Sequence, residues 1–344
     1  MANLNTAVIE KNWPLHGLES VFACPYCGAA GKSLAYRDVR DWSFGCAAGG
    51  WSYWACDGCR ALYLDPRPTP DAMSNAYGTY YTHADTAKTH LLAAFKQRLK
   101  NEFLSARFAR PIGPGFWLPG WTASFVKLLA RWVAEPFGMR QLAGLASGFL
   151  IDVGCGNGDA LKLARQWGWR TLGIELDPTA VAAARAQGLD VMEGSYEELA
   201  RYEGKADCII CSHVIEHVHH PLRLLKLLLA SLAPSGVLLL SAPNASSHLR
   251  DHYGENWRGL EAPRHLAIPD AGWLISWLRE QGLACTQVPS HNKVMIIESE
   301  RIRRRGSTTI RADLKTARKV ALMNQNASLQ TQDIVQVVCC KAIT

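Results

Sequence analysis

The sequence predicts an α/β protein: a parallel sheet with helices on both faces, preceded by a small cysteine-paired module and a helical connector. Three observations predict it. Between residues 149 and 289, short apolar runs alternate with helix-length segments. One run ends in a glycine turn, Gly154-Cys-Gly-Asn-Gly158, that opens a helix. Near the N-terminus, two Cys-x-x-Cys pairs stand 28 residues apart, a spacing that can close a four-thiolate site.

The elements follow in order. Phe149–Val153 reads as a strand, and Asp159–Trp167 as a helix stopped by Gly168. Thr171–Glu175 is a strand, and Pro178–Gln187 a helix closed by Gly188. Leu189–Glu193 and Asp207–Cys211 are further strands. Pro221–Leu232 is a Leu-rich helix with Pro at its start, where the missing N–H is harmless. Val237–Ser241 is a strand, Leu274–Gln281 a helix, and Ala284–Val288 and Ile334–Cys340 the last strands. Apolar strands that do not alternate are buried on both faces. Residues 213–220, if helical, place His213, Glu216, His217 and His220 on one face.

The chain has 344 residues, and at about 150 residues per domain that predicts about two domains. The sequence divides into a module at 1–70, a helical connector or lid at 71–148, and an α/β domain at 149–344. That domain carries a basic insertion at about 290–332, where nine Lys/Arg face three acids. The net charge of +7 is too mild to make nucleic acid the default partner. No apolar run is long enough to span a membrane, although Phe116–Phe137 could lie at an interface. With no export signal at the N-terminus the expected location is cytoplasmic, where the eleven cysteines stay reduced.

The glycine turn has two features that select its ligand. The dinucleotide fingerprint has its third glycine one place beyond Gly158, and here that place is Asp159. A carboxylate there, beside Asp152, would repel a pyrophosphate but suit a cationic ligand. Glu175 follows at the end of the second strand, 17 positions past Gly158, where an acid can accept both ribose hydroxyls. S-adenosylmethionine has a ribose, a cationic sulfur and an amino-acid head group.

These residues resemble the class I S-adenosylmethionine-dependent methyltransferases, whose sheet is Rossmann-like. The matching runs are Leu150-Ile-Asp-Val-Gly-Cys-Gly-Asn-Gly158, Gly173-Ile-Glu-Leu-Asp177, Gly194-Ser-Tyr-Glu-Glu-Leu199 and His213-Val-Ile-Glu-His-Val218. Trp257-Arg-Gly-Leu-Glu-Ala-Pro-Arg-His-Leu266 resembles a bacterial subgroup with an N-terminal zinc-ribbon-like module, often associated with glycan or sugar modification. The resemblance implies S-adenosylmethionine as cofactor. It implies contacts from Asp152, Gly154, Cys155, Gly156, Gly158, Glu175, Leu176, Ser195, Tyr196, Ser212 and His213. It also implies a small-molecule, nucleotide-sugar or glycan acceptor; the rivals are an RNA methyltransferase that docks RNA on the cysteine module and a non-catalytic cofactor-binding scaffold.

Methyl transfer to a hydroxyl needs a base, and a histidine titrates near neutrality. His217 is the first candidate and His213 the second, with Glu216 and His265 beside them. The alternatives are that Glu216 and His217 only brace the loop, or hold a divalent metal as in ubiquinone-synthesis methyltransferases with the same Glu-His-Val run. Arg264 and His265 are expected to contact a polar acceptor that can carry a phosphate; the alternative is a packed connector whose Arg264 pairs with Glu261. Cys24, Cys27, Cys56 and Cys59 are expected to hold one structural Zn²⁺. Cys46 and the remaining cysteines, Cys285 and Cys339 among them, read as packing residues.

Overall fold

The structure, a computed structural model, describes residues 13, 16–45, 47–77, 91–108, 138–290, 293–304, 322 and 327–341. Cys46, residues 116–137 and residues 305–319 of the basic segment lie outside the described residues. By contact the chain divides into two units. One comprises Met1–Tyr81, Ser212–Lys226 and Leu240–Thr344; the other comprises Thr82–Cys211 and Leu227–Leu239.

The N-terminal strands are β1 (Leu18–Glu19), β2 (Lys32–Val39), β3 (Trp51–Cys56), β4 (Leu62–Leu64) and β5 (Arg67–Pro68). Strands β2, β3 and β4 form an antiparallel ladder, and β1 pairs with β5. Each Cys pair ends in the same tight turn. The Gly28 N–H reaches the Cys24 carbonyl at 2.9 Å, and the Arg60 N–H reaches Cys56 at 3.0 Å. Gly28 and Arg60 both take positive φ, 76° and 62°, which Gly adopts freely and Arg only under constraint.

The second unit begins with α1 (Leu91–Phe108) and α2 (Met139–Gly144). It continues as β6 (Phe149–Val153), α3 (Asp159–Gln166), β7 (Arg170–Glu175), α4 (Pro178–Arg185), β8 (Val191–Glu193) and β9 (Ala206–Ser212). Strand β6 is buried throughout, as a strand covered on both faces must be. Strands β7 and β9 flank it in parallel, and β8 adds to β7. Asp177 caps α4, accepting the Thr179 N–H at 2.9 Å just before Pro178.

The rest of the chain adds α5 (Pro221–Ser231), β10 (Leu232–Pro243), α6 (His248–Tyr253) and β11 (Ala267–Ile268). It ends with α7 (Ala271–Glu280), β12 (Leu283–Gln287), α8 (Lys293–Arg303) and β13 (Ile334–Lys341). Helix α7 begins three residues before the expected start because Asp270 caps it, accepting the Trp273 N–H at 2.8 Å. The seven-stranded sheet has the order β12-β13-β10-β9-β6-β7-β8. The expected α/β class is therefore borne out, with one refinement: the sheet is mixed, since β12 and β13 run antiparallel. Cys285 and Cys339 face each other there and form a disulfide, which corrects the expectation that both are free packing thiols.

A second sheet, β11-β4-β3-β2, draws its edge strand from a segment more than 200 residues downstream, with Ala267 opposite Tyr63 and Ile268 opposite Leu62. The core of this unit packs Trp51, Tyr53, Leu62 and Leu64 against Trp257, Leu260, Leu266 and Ile268. Each such fully buried side chain contributes about 2 kcal/mol. No described helix is long and apolar enough to cross a membrane.

Candidate functional site

The glycine turn sits at the carboxyl end of β6, beside the ends of β7 and β8. Gly154, Gly156 and Gly158 all have positive φ, 71°, 53° and 81°. A Cβ on Gly158 would lie 2.2 Å from Leu189, so only Gly fits both the conformation and the space. Glu175 organises the turn. One carboxylate oxygen accepts the Gly156 N–H at 2.8 Å, and the other accepts those of Leu176 and Asp177 at 2.8 and 2.9 Å. Asp152 is buried alongside. Burial, and then the Glu175 charge, push its carboxyl up to about 7. Cys155 is buried, Leu176 is 70% exposed, and Ser195 and Tyr196 begin the turn after β8.

These residues fit the expected cofactor. Glu175 stands where it can turn from backbone N–H groups to ribose hydroxyls. Exposed Leu176 offers an apolar face next to it, and Asp152 is buried beside the turn. Ser212 closes β9 and His213 follows it in the histidine loop.

That loop is not α-helical over 213–220, so the shared face of four side chains that a helix would give is absent. It contains only a short 3-10 turn, Ile215–His217. His213 has φ 57°, which no α-helix accommodates. His213, two residues before the turn, still meets Glu216 within it. His213 Nδ1 lies 3.1 Å from Glu216 Oε1, while Glu216 is fully buried and the His213 side chain is 42% exposed. Burial opposes a charge on either group. The hydrogen bond and mutual attraction outweigh it, raising His213 and lowering Glu216.

His217 is half-buried. Its Nδ1 lies 3.1 Å from the Arg264 carbonyl and 3.3 Å from the Tyr77 hydroxyl. His265 is buried, bonds the Gly259 carbonyl at 2.6 Å through Nδ1, and packs edge-on against His217 at 4.7 Å. Burial pulls His265 down to about 4, so its ring is neutral near pH 7. Donor atoms of Glu216, His217 and His265 lie within 4.8 Å of one another. His220 is exposed and joins none of these contacts in the described structure.

Arg264 departs from its expected role. It is completely buried and forks onto Asp41 at 2.6 and 2.9 Å, with further bonds to Glu261 at 3.0 Å and the Ala76 carbonyl at 2.9 Å. Asp41 and Glu261 hold its charge against the cost of burial. A guanidinium already matched to two carboxylates has no face left for a phosphate. The alternative that the sequence offered, a packed connector whose Arg264 pairs with Glu261, is the one that forms. Sequence reasoning missed the roles of Asp41 and Tyr77.

The four expected cysteines converge. Cys24 and Cys59 sulfurs are 3.5 Å apart, those of Cys27 and Cys56 are 3.4 Å apart, and all four lie within 4.8 Å. Tetrahedral Zn–S bonds of about 2.3 Å put sulfurs about 3.8 Å apart, so the set fits the ion. The hydrogen bond between Cys24 and Cys59 lowers the Cys24 thiol and raises that of Cys59.

Residues 127–288 match the family described as "Methyltransferase domain". The match covers a little under half of the chain, and over it the chain is similar to methyltransferase domains. Among curated proteins, the ubiquinone biosynthesis O-methyltransferase of Histophilus somni (strain 2336) is 35% identical over 116 residues. That alignment covers 30% of this chain and 49% of the relative. The enzyme of the same name from Xanthomonas campestris pv. campestris (strain B100) is 33% identical over 102 residues, covering 28% and 43%. The chain thus spans less than half the length of the curated relatives it matches. A solved S-adenosylmethionine-dependent methyltransferase from Mesorhizobium loti aligns over 59% of this chain and 97% of its own, at 17% identity and a TM-score of 0.42.

Proposed function

We propose that this methyltransferase domain uses S-adenosylmethionine to methylate a hydroxyl of a small-molecule, nucleotide-sugar or glycan acceptor. His213 is the base in this reading, and Glu216 orients it. The observation that carries the choice is the pairing of an exposed imidazole with a fully buried carboxylate at 3.1 Å. Such a carboxylate fixes the tautomer and supports the cation that forms. The sequence put His217 first, but its Nδ1 is tied to the Arg264 carbonyl and the Tyr77 hydroxyl.

Bound S-adenosylmethionine would supply an electrophilic methyl group and leave as the neutral thioether. Glu175 and the turn at Gly154, Gly156 and Gly158 would hold it, with Asp152, Cys155, Leu176, Ser195, Tyr196 and Ser212 around them. His213 takes the acceptor hydroxyl proton at Nε2 as the oxygen gains its methyl. The curated relatives are named O-methyltransferases, which supports oxygen as the methylated atom. Four thiolates would hold one structural zinc, with no open position for a substrate. The cytoplasmic location expected from the sequence belongs to the same proposal.

The test follows labelled methyl from S-adenosylmethionine into a fractionated cell extract, with and without nuclease. Label in a small-molecule or glycan fraction is expected. Label that ribonuclease removes would establish RNA as the acceptor. His213→Ala should keep cofactor binding and lower turnover by about 10²–10⁴-fold; full activity in that variant removes His213 as the base.

A further inference from the structure

We infer that the N-terminal cysteine module is a clamp that positions the histidine loop, with Asp41 and Arg67 as its positioning residues. The inference rests on the reading of that loop as the base site. His213 stands in a left-handed conformation, φ 57°, that a non-glycine residue keeps only when its surroundings hold it. Within the loop itself there is little to do so: the His217 N–H reaches the Val214 carbonyl at 2.9 Å, and His213 pairs with Glu216.

The Ser241 carbonyl of β10 accepts the His213 N–H at 2.9 Å, and the module holds the residues that follow through three successive segments. After β2, Asp41 grips the buried Arg264, and the Arg264 carbonyl fixes His217 Nδ1 at 3.1 Å. At β4, Leu64 donates its N–H to the Leu266 carbonyl at 3.0 Å, and Leu266 donates its own to the Glu216 carbonyl at 2.7 Å. At β5, Arg67 donates to the His219 carbonyl, while the His219 ring nitrogen Nε2 bonds the Pro68 carbonyl, both at 2.9 Å. Arg67 is in turn held by Glu19 on β1 at 2.6 Å.

The grip thus falls on the backbone of Glu216 and His219 and on the ring of His217. The cysteine cluster sets the geometry of the grip, because Cys56 ends β3, Cys59 lies just before β4, and the Cys56 N–H bonds the Ala61 carbonyl at 2.9 Å. Loss of the ion would free β4 and β5 and, through them, the loop.

Full-length zinc-loaded protein, Asp41→Asn and Arg67→Lys decide the matter by three readouts: amide hydrogen exchange over residues 212–220, S-adenosylmethionine affinity and turnover. The clamp predicts exchange at least about tenfold faster over that loop in both variants. Turnover should fall at least about tenfold, with cofactor affinity held within about twofold and partial rescue in Asp41→Glu. Chelation of the zinc should give the same exchange pattern. Unchanged exchange over 212–220 overturns the clamp whatever the activity does. Faster exchange across the whole unit, with cofactor affinity lost in step, also overturns it, because that is general destabilisation. If the wild type transfers no methyl group, the proposed function fails, and the exchange data still decide the clamp. Arg67→Lys keeps the test open should Asp41→Asn not fold.

Discussion

His213 and Glu175 each combine a charge with an unusual local geometry, and each yields a prediction. Partnership with Glu216 raises His213 above the ordinary histidine value near 6.5. A base must be unprotonated, so turnover should rise with pH along a limb centred above 6.5. Glu216→Gln keeps the shape but removes the charge, and the limb should move down in pH. An unmoved limb assigns the proton transfer to another group. Glu175 spends both carboxylate oxygens on backbone N–H groups in the ligand-free turn. Hydrogen bonds to a charged group contribute about 1.5–3 kcal/mol. Glu175→Ala should therefore weaken S-adenosylmethionine binding about tenfold to a hundredfold in a fluorescence titration, and unchanged affinity would remove the ribose assignment.

At the scale of elements, the strands and helices from 149 to 289 were legible because their boundaries are chemical. Gly168 and Gly188 stop helices, Pro178 and Pro221 start them, and β6 is apolar but for Asp152 and buried throughout. The histidine loop was legible in composition but not in shape. Spacing of three residues fits an α-helix and a 3-10 turn alike, and only the positive φ of His213 separates them. Asp41 left no trace, since its partner Arg264 lies 223 residues away and nothing local marks a long-range ion pair. The cysteine turns were legible because Cys-x-x-Cys is a local geometry, repeated here with the same hydrogen bond and the same positive φ. Metal analysis should find about one zinc per chain, lost in Cys56→Ser together with thermal stability. A folded wild type without zinc would refute the metal assignment.

On the scale of the whole molecule, the buried charges around His265 govern how it meets acid. His265 titrates near 4 when folded and near 6.5 when unfolded. The unfolded chain therefore binds the extra proton first, and stability contributed by the neutral ring is present above 6.5 and lost as pH falls toward 4. The difference amounts to about 3 kcal/mol at most, a large part of the usual 5–15 kcal/mol margin. His213 has the opposite sign. Its raised value adds stability that is fully present below 6.5 and lost as pH rises through the folded value, so the two histidines act in separate windows on either side of 6.5. His265→Gln should flatten the loss between pH 6.5 and 4 in denaturant melts, while Glu216→Gln should act above 6.5, removing the stability gained there as His213 takes up its proton. If His265→Gln melts with the same pH slope as the wild type, the acid sensitivity originates in another group.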